Sequence, residues 1–195
     1  MKLRLLIFQL IFVLVFVVSC GGSMPLKEYE ATSSLREKAV KYELKDYSKE
    51  QFDIAEANFS EASIIIDENN TKEAKKARTL LNTASDSYQT ALNDGLPKYA
   101  EVLKKEVELE RESSRDIKAY KIDKDNYELA ELNYINGMES LNKNNYEDAV
   151  NYFLEAKSLH NKAYSSTKGM FDESAKNIEE AEQKIKEIEE LEKSY

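Results

Sequence analysis

The stretch "LNYINGMESLNKNNYEDAVNYFLEAKSL", residues 132–159, decides the fold class of this chain. Two adjacent asparagines, Asn144 and Asn145, separate two segments, and the spacing Asn145-x-x-Asp148 is typical of a helix start. Apolar residues recur at intervals of three and four, which is the helical period. We therefore expect an antiparallel helical hairpin, with helices at about residues 128–142 and 146–167.

The same period continues through the chain from Lys27 onward, and no stretch of useful length alternates with period two. The sequence therefore predicts an all-α protein. Breakers are rare, and cap signals divide the helices: Ser48-x-x-Gln51 is a capping box and Asn70-x-x-Glu73 a variant of it. In "NDGLP", residues 93–97, we expect Gly95 to stop one helix and Pro97 to start the next. The remaining helices are predicted at about residues 27–45, 49–67, 71–92, 97–124 and 170–193.

Short motifs recur in the same order at an offset of about 75 residues. The pairs are "KAVK" (38–41) with "KAYK" (118–121), "AEANF" (55–59) with "AELNY" (130–134), and "ENNTKEA" (68–74) with "KNNYEDA" (143–149). We interpret them as a duplication that gives two related helical units, residues 27–96 and 97–195. The last helix, 170–193, has an apolar face and either caps the array or presents a coiled-coil surface to a partner.

The chain begins with two basic residues, Lys2 and Arg4, followed by an apolar run over residues 5–18 that contains one polar side chain. This pattern is typical of a secretory signal peptide, here residues 1–19. A membrane-spanning helix needs about 20 apolar residues, so the run is short for a permanent anchor. The chain has a single cysteine, Cys20, directly after this segment, and it therefore forms no internal disulfide.

The sequence Val17-Val18-Ser19-Cys20 resembles the lipobox of bacterial lipoproteins. The resemblance implies a diacylglycerol on the Cys20 thiol, cleavage before Cys20 and an acyl chain on the new amine. Residues 20–26 would then form a short lipidated tether to the bacterial cell membrane. In such lipoproteins an acidic residue after the cysteine retains the protein at the inner membrane, so Gly21 favours the outer membrane. No cofactor is expected besides the covalent lipid.

The stretch 132–159 also resembles a tetratricopeptide repeat, through Gly137, Tyr146, Ala149, Phe153 and Ala156. The first unit departs from the pattern, with Ala62 at the glycine position and Arg78 where a phenylalanine is expected. The resemblance implies a short solenoid or bundle of hairpins, similar to uncharacterised lipoproteins with alanine-seamed helices. By that resemblance, a partner-binding groove would be lined by Glu56, Phe59, Ser63, Glu131, Tyr134 and Met138, although these positions are equally suited to inter-helix contacts.

The net charge and the lack of catalytic motifs disfavour several classes of function. The net charge is −9, and removing the +2 of residues 1–19 leaves −11, which disfavours nucleic acid as a partner. The one histidine, His160, has no carboxylate at the i±3 or i±4 positions, so we expect no metal site there and interpret it as a surface or packing residue. Nucleophile elbows and phosphate-binding glycine loops are also missing from the sequence, which predicts no enzyme.

These observations predict a membrane-anchored, non-enzymatic scaffold of the bacterial cell envelope that binds a partner protein. Two alternatives stay open at the sequence level. One is a ligand-binding component of a transport system, which would need an enclosed apolar pocket. The other is a surface-exposed adhesin, because fold alone does not determine function.

Overall fold

The computed structural model describes residues 22–193, so the predicted signal peptide and Cys20 lie outside the described residues. Every regular element in the described part of the chain is helical, which confirms the all-α prediction. A 3₁₀ turn occupies Thr71–Glu73. The α-helices are α1 (Leu26–Lys41), α2 (Leu44–Tyr47), α3 (Lys49–Asp67), α4 (Ala74–Asp116), α5 (Ala119–Ile122), α6 (Lys124–Asn142) and α7 (Tyr146–Lys193).

The chain divides into two compact units between Lys98 and Tyr99, two residues after the predicted boundary. Each unit has a core rich in alanine, because small side chains allow helices to approach closely while larger residues fill the remaining space. In the first unit the core includes Ala55, Ala62, Ala77, Leu81, Ala84 and Tyr88. In the second unit it includes Ala130, Ala149, Val150, Phe153, Ala156 and Ala163.

The local path of the chain recurs at a fixed offset. Helices α3 and α6 begin at Lys49 and Lys124, and 124 − 49 = 75. Left-handed backbone conformations recur at the same spacing, at Glu43 and Lys118 and at Asn69 and Asn144. The duplication stays a prediction, and this recurrence of bounds and turns supports it.

The predicted helix break at residues 93–97 is wrong. Helix α4 contains both Gly95 and Pro97. Pro97 removes one backbone hydrogen bond, but its neighbours Leu92 and Leu96 are buried, so packing outweighs the local cost. Gly95 serves a close approach instead, since a Cβ added there would lie 2.9 Å from Leu44 Cδ2.

Gly169 likewise does not end a helix, and the helices predicted at 146–167 and 170–193 are one helix, α7. A glycine in an exposed helix costs about 1 kcal/mol, which is too little to stop a helix that is propagating on both sides. The helices predicted at 27–45 and 97–124 end early, at Lys41 and Asp116. Each is followed by a residue in the left-handed conformation, Glu43 or Lys118, that no glycine marks in the sequence.

The caps differ from the predicted capping box in detail. Ser48 is the N-cap of α3 as expected, but its side chain makes no cap hydrogen bond. At the two asparagine turns the cap side chains pair with the acidic residue three positions later. Asn70 Nδ2 donates to Glu73 Oε1 at 3.2 Å, and Asn145 Nδ2 donates to the Asp148 carboxylate.

Two helices approach each other closely at Gly137. Gly137 on α6 is buried against Phe153 on α7, whose side chain is fully buried. A Cβ added at Gly137 would lie 2.6–3.1 Å from three atoms of the Phe153 ring. The glycine is therefore required for this ring to lie so close to α6, whatever family the hairpin belongs to.

Candidate functional site

In the first unit, the predicted groove residue Glu56 lies in an ion pair between helices. Arg36 from α1 donates through Nε to Glu56 Oε1 at 2.7 Å and through Nη2 to Oε2 at 3.1 Å. The Tyr88 hydroxyl from α4 also donates to Oε1, at 2.5 Å. Planar two-point pairing of this kind fixes geometry as well as charge, so Glu56 ties three helices together.

The electrostatics of this cluster follow from its contacts. Partial burial opposes ionisation of Glu56, but the hydrogen bonds from Arg36 and Tyr88 outweigh it and lower the pKa of the carboxyl. Burial and the hydrogen bond to Glu56 raise the pKa of Tyr88 far above its usual range. The Tyr88 hydroxyl therefore stays protonated and acts as a permanent donor.

The other two predicted groove residues of the first unit take part in packing. Phe59 is only 9% exposed, stacks on Tyr29 with ring centroids 5.3 Å apart, and has the Arg36 guanidinium 5.5 Å above its ring. The half-buried Ser63 donates its hydroxyl to the Phe59 carbonyl at 2.8 Å. The expectation of a jointly exposed set is therefore wrong at Phe59, because the ring contributes to the core.

In the second unit, Glu131 lies in a matching ion pair. Arg111 from α4 donates to its two carboxylate oxygens at 2.6 and 2.7 Å and lies over the Tyr134 ring at 5.0 Å. The Tyr134 hydroxyl donates to Glu108 at 2.9 Å. Tyr134 and Met138 are half-buried on α6, so Glu131, Tyr134 and Met138 share one helix but not one free surface.

The sequence left two environments open for His160, the surface or the packing between helices. It is fully buried, which corrects the surface alternative and agrees with the packing one. Its Nδ1 lies 3.0 Å from Ser114 Oγ, while Nε2 lies 3.7 Å from Glu131 Oε1 and has no hydrogen-bond partner. Burial lowers the pKa of His160, and the Arg111 charge adds to this effect against the opposing Glu131 charge.

Tyr127 completes the surroundings of His160, with its ring edge-on at 5.3 Å. Burial and the neighbouring Glu131 charge raise the pKa of Tyr127. Glu131 and Tyr127 are on α6 and His160 is on α7, so helical spacing around His160 gave no sign of this cluster. A signal could have come only from the pairing of the two helices.

A third candidate is the C-terminal part of α7, where an apolar face is exposed. Five large apolar residues there have exposed fractions between 47% and 60%: Met170, Phe171, Ile178, Ile185 and Ile188. All residues from Lys168 to Lys193 are exposed. The expectation that this helix caps the array by burying its apolar face is therefore not what the packing shows.

Among residues 22–193, no cluster of histidine, cysteine, aspartate and glutamate is arranged to hold a metal ion. Within the same residues, no helix is both long and apolar enough to cross a bilayer. The chain matches no protein-family model, no curated protein sequence and no solved structure.

Proposed function

We propose that this chain is a lipid-anchored, non-enzymatic interaction scaffold of the bacterial cell envelope, which binds a partner protein through the C-terminal part of α7. The observation that carries the proposal is the exposed apolar face from Met170 to Ile188 on an otherwise charged helix. Contiguous exposed apolar surface marks interaction sites, because water disfavours it unless a partner covers it.

The ion-pair clusters support the scaffold role by holding their helices in fixed positions. Glu56 joins α1, α3 and α4, and Glu131 joins α4 and α6, so both clusters are structural in this proposal. The half-buried Tyr134 and Met138 would offer partners a smaller second contact area. Phe59 has no place in such an area because its ring is buried.

The lipobox-like sequence before Cys20 supports the lipid anchor, and Gly21 supports a location at the outer membrane. Each buried methylene contributes about 0.8 kcal/mol, so two or three acyl chains hold a protein at a membrane almost permanently. A folded unit that begins at Leu26 would lie close to the bilayer, since the five residues from Gly21 to Pro25 extend at most about 18 Å.

The anchor is tested by detergent phase partition and by mass spectrometry of the N-terminal peptide. We expect the wild-type chain in the detergent phase with acyl mass on Cys20, and Cys20→Ser in the aqueous phase. Ser23→Ala is the matched control in the same tether and should partition like the wild type. A wild-type chain without acyl mass would refute the anchor.

The interaction is tested by crosslinking in cells with two charge-adding variants on opposite faces of α7. We expect Ile185→Glu to lose the crosslinked partner, because a buried, unpaired charge opposes docking of an apolar face. Gln183→Glu adds the same charge to the opposite face and should retain it. An unchanged product in Ile185→Glu would refute partner binding through α7.

A further inference from the structure

The exposed apolar face of α7 has the spacing of a coiled coil. Six residues follow one another at intervals of three, four, three, four and three, and we call them the α7 seam: Phe171, Ser174, Ile178, Ala181, Ile185 and Ile188. This is a heptad pattern with Phe171, Ile178 and Ile185 at the a positions. Such a pattern favours a left-handed pairing with another helix of the same kind.

The charges around the seam are distributed unevenly. The acidic excess falls at the b and c positions, away from the seam: Asp172, Glu173, Glu179, Glu180 and Glu187. The flanking e and g positions carry both signs, with Glu182 and Glu189 at e and Lys184 at g. A second copy of the same helix can therefore approach the seam without bringing the acidic runs together.

We propose that the α7 seam docks against the seam of a second copy of this chain, as a parallel two-stranded coiled coil over residues 171–188. In parallel register, each g residue faces the e residue five positions later in the second chain. Lys184 then faces Glu189 of the second copy, and the pair forms twice by symmetry.

The antiparallel arrangement is less favourable on charge. It would bring Glu189 toward Lys168, whose ammonium is already paired with Asp172 at 2.7 Å in the single chain. Lys184 would then face Asn177, which offers no opposite charge. The ion pair that the seam can add without breaking an existing one is therefore the parallel pair.

The inference deepens the proposed function, because it names a second copy as the partner. The seam spans about 27 Å at 1.5 Å per residue, and Ser174 and Ala181 bury little area. We therefore expect a weak dimer in solution. Attachment of both copies to one membrane would raise their effective concentration and favour the dimer without new contacts.

The test uses the full chain in its membrane. Cys20 is the single natural thiol, so products of an introduced cysteine are recognised by comparison with the wild type. Ser174→Cys places a thiol in the seam, and Gln183→Cys places one on the opposite face. Under mild oxidation we expect a disulfide-linked dimer of Ser174→Cys at least about tenfold more abundant than that of Gln183→Cys. Adding Ile185→Glu to Ser174→Cys should abolish most of the product. Equal yields from the two cysteine variants, or no dimer, would overturn the proposal.

The same crosslinking experiment tests the relative orientation of the two helices and the identity of the chain that binds the α7 seam. Coexpressed Ser174→Cys and Ile185→Cys chains should give only like-with-like products, whereas a mixed 174–185 product alone would overturn the parallel register. A Ser174→Cys product with a different protein instead of a dimer would overturn the second copy as occupant. The wild-type chain is the control for any disulfide product formed through Cys20. The acyl mass on Cys20 tests the lipid anchor in a separate measurement, so each of the two proposals can fail without the other.

Discussion

Each unit contains an arginine–glutamate ion pair at the equivalent position of the chain, but the further side chain that faces the glutamate differs between the units. Arg36 and Glu56 in the first unit recur as Arg111 and Glu131, each 75 residues later. In the first unit a hydroxyl from Tyr88 donates to the carboxylate. In the second unit the residue 75 positions after Tyr88 is Ala163, and the carboxylate faces the imidazole of His160 instead.

Because of this difference, the two units respond differently to a fall in pH. The Tyr88 hydroxyl keeps its proton at any ordinary pH, since its pKa is raised by burial and by Glu56. The His160 imidazole is held neutral by burial, and its Nε2 has no hydrogen-bond partner. The second unit therefore contains a group that must gain a proton against burial as the pH falls.

A second difference between the units lies at the contact between two helices. The second unit packs Phe153 on Gly137, whereas the first has Arg78 and Ala62 at the corresponding positions. Arg78 reaches Glu28 with Nε 2.8 Å from Oε1, and both side chains are more than a third exposed. One unit thus gains stability from a buried ring where the other has an exposed ion pair.

The largest expected effect compares these two residues directly. Phe153→Ala should lower the free energy of unfolding of the second unit by about 3–5 kcal/mol, because it leaves a cavity in a closed core. Arg78→Ala should cost the first unit at most about 1 kcal/mol, since exposed ion pairs contribute little. Denaturant unfolding with amide hydrogen exchange resolved by unit measures both. Losses of similar size would contradict the comparison.

A smaller effect is expected at the glycine beneath the ring. Gly137→Ala should destabilise the second unit by about 1–3 kcal/mol through overpacking, although alanine is the better helix former. The matched change Ala62→Gly should cost the first unit about 1 kcal/mol through helix propensity and about 1 kcal/mol more through the loss of a buried methyl group. If the clash is the cause, Phe153→Leu should suppress the penalty of Gly137→Ala. A stabilised Gly137→Ala chain would refute the close contact.

The smallest effect is a difference in pH dependence. The pKa of His160 is lowered in the folded state, so the unfolded chain binds a proton first, near pH 6.5. Stability from this group is complete above that value and is lost as the pH falls below it toward the folded pKa. For Glu56, the lowered folded pKa means that stability is lost only as the pH falls from about 4.5. Between pH 7 and 5 the second unit should therefore weaken while the first stays constant.

Hydrogen exchange corrected for intrinsic rates measures this difference for each unit. His160→Gln should flatten the profile of the second unit over the same range, because glutamine does not titrate. Ser85→Ala, at the corresponding position of the first unit, is the control and should leave both profiles unchanged. A second unit that keeps its slope without His160 would assign the pH dependence to another group.

The sequence identified the carboxylates of both clusters but not their role. Glu56 and Glu131 were predicted as groove positions by resemblance, whereas the structure pairs each with an arginine 20 residues earlier on another helix. Side chains on one helix contact each other at separations of three or four residues, not 20. The pairing therefore becomes visible only when the helices are packed against each other. His160 shows the same limit, because its neighbours Ser114 and Glu131 come from two other helices.

The sequence alone predicts the helical class, the starts of α3 and α7, the two asparagine turns and the heptad spacing of the α7 seam. These follow from periodicity and from local hydrogen bonds, which act over a few residues. The predicted start of the helix that became α6, residue 128, is four residues after the observed start at Lys124. Tertiary packing decides that Gly95 and Pro97 lie inside a helix, that Phe59 is buried and that the α7 seam is exposed. A proline inside a helix costs about 3 kcal/mol or more, and the burial of apolar residues along the helix offsets that cost.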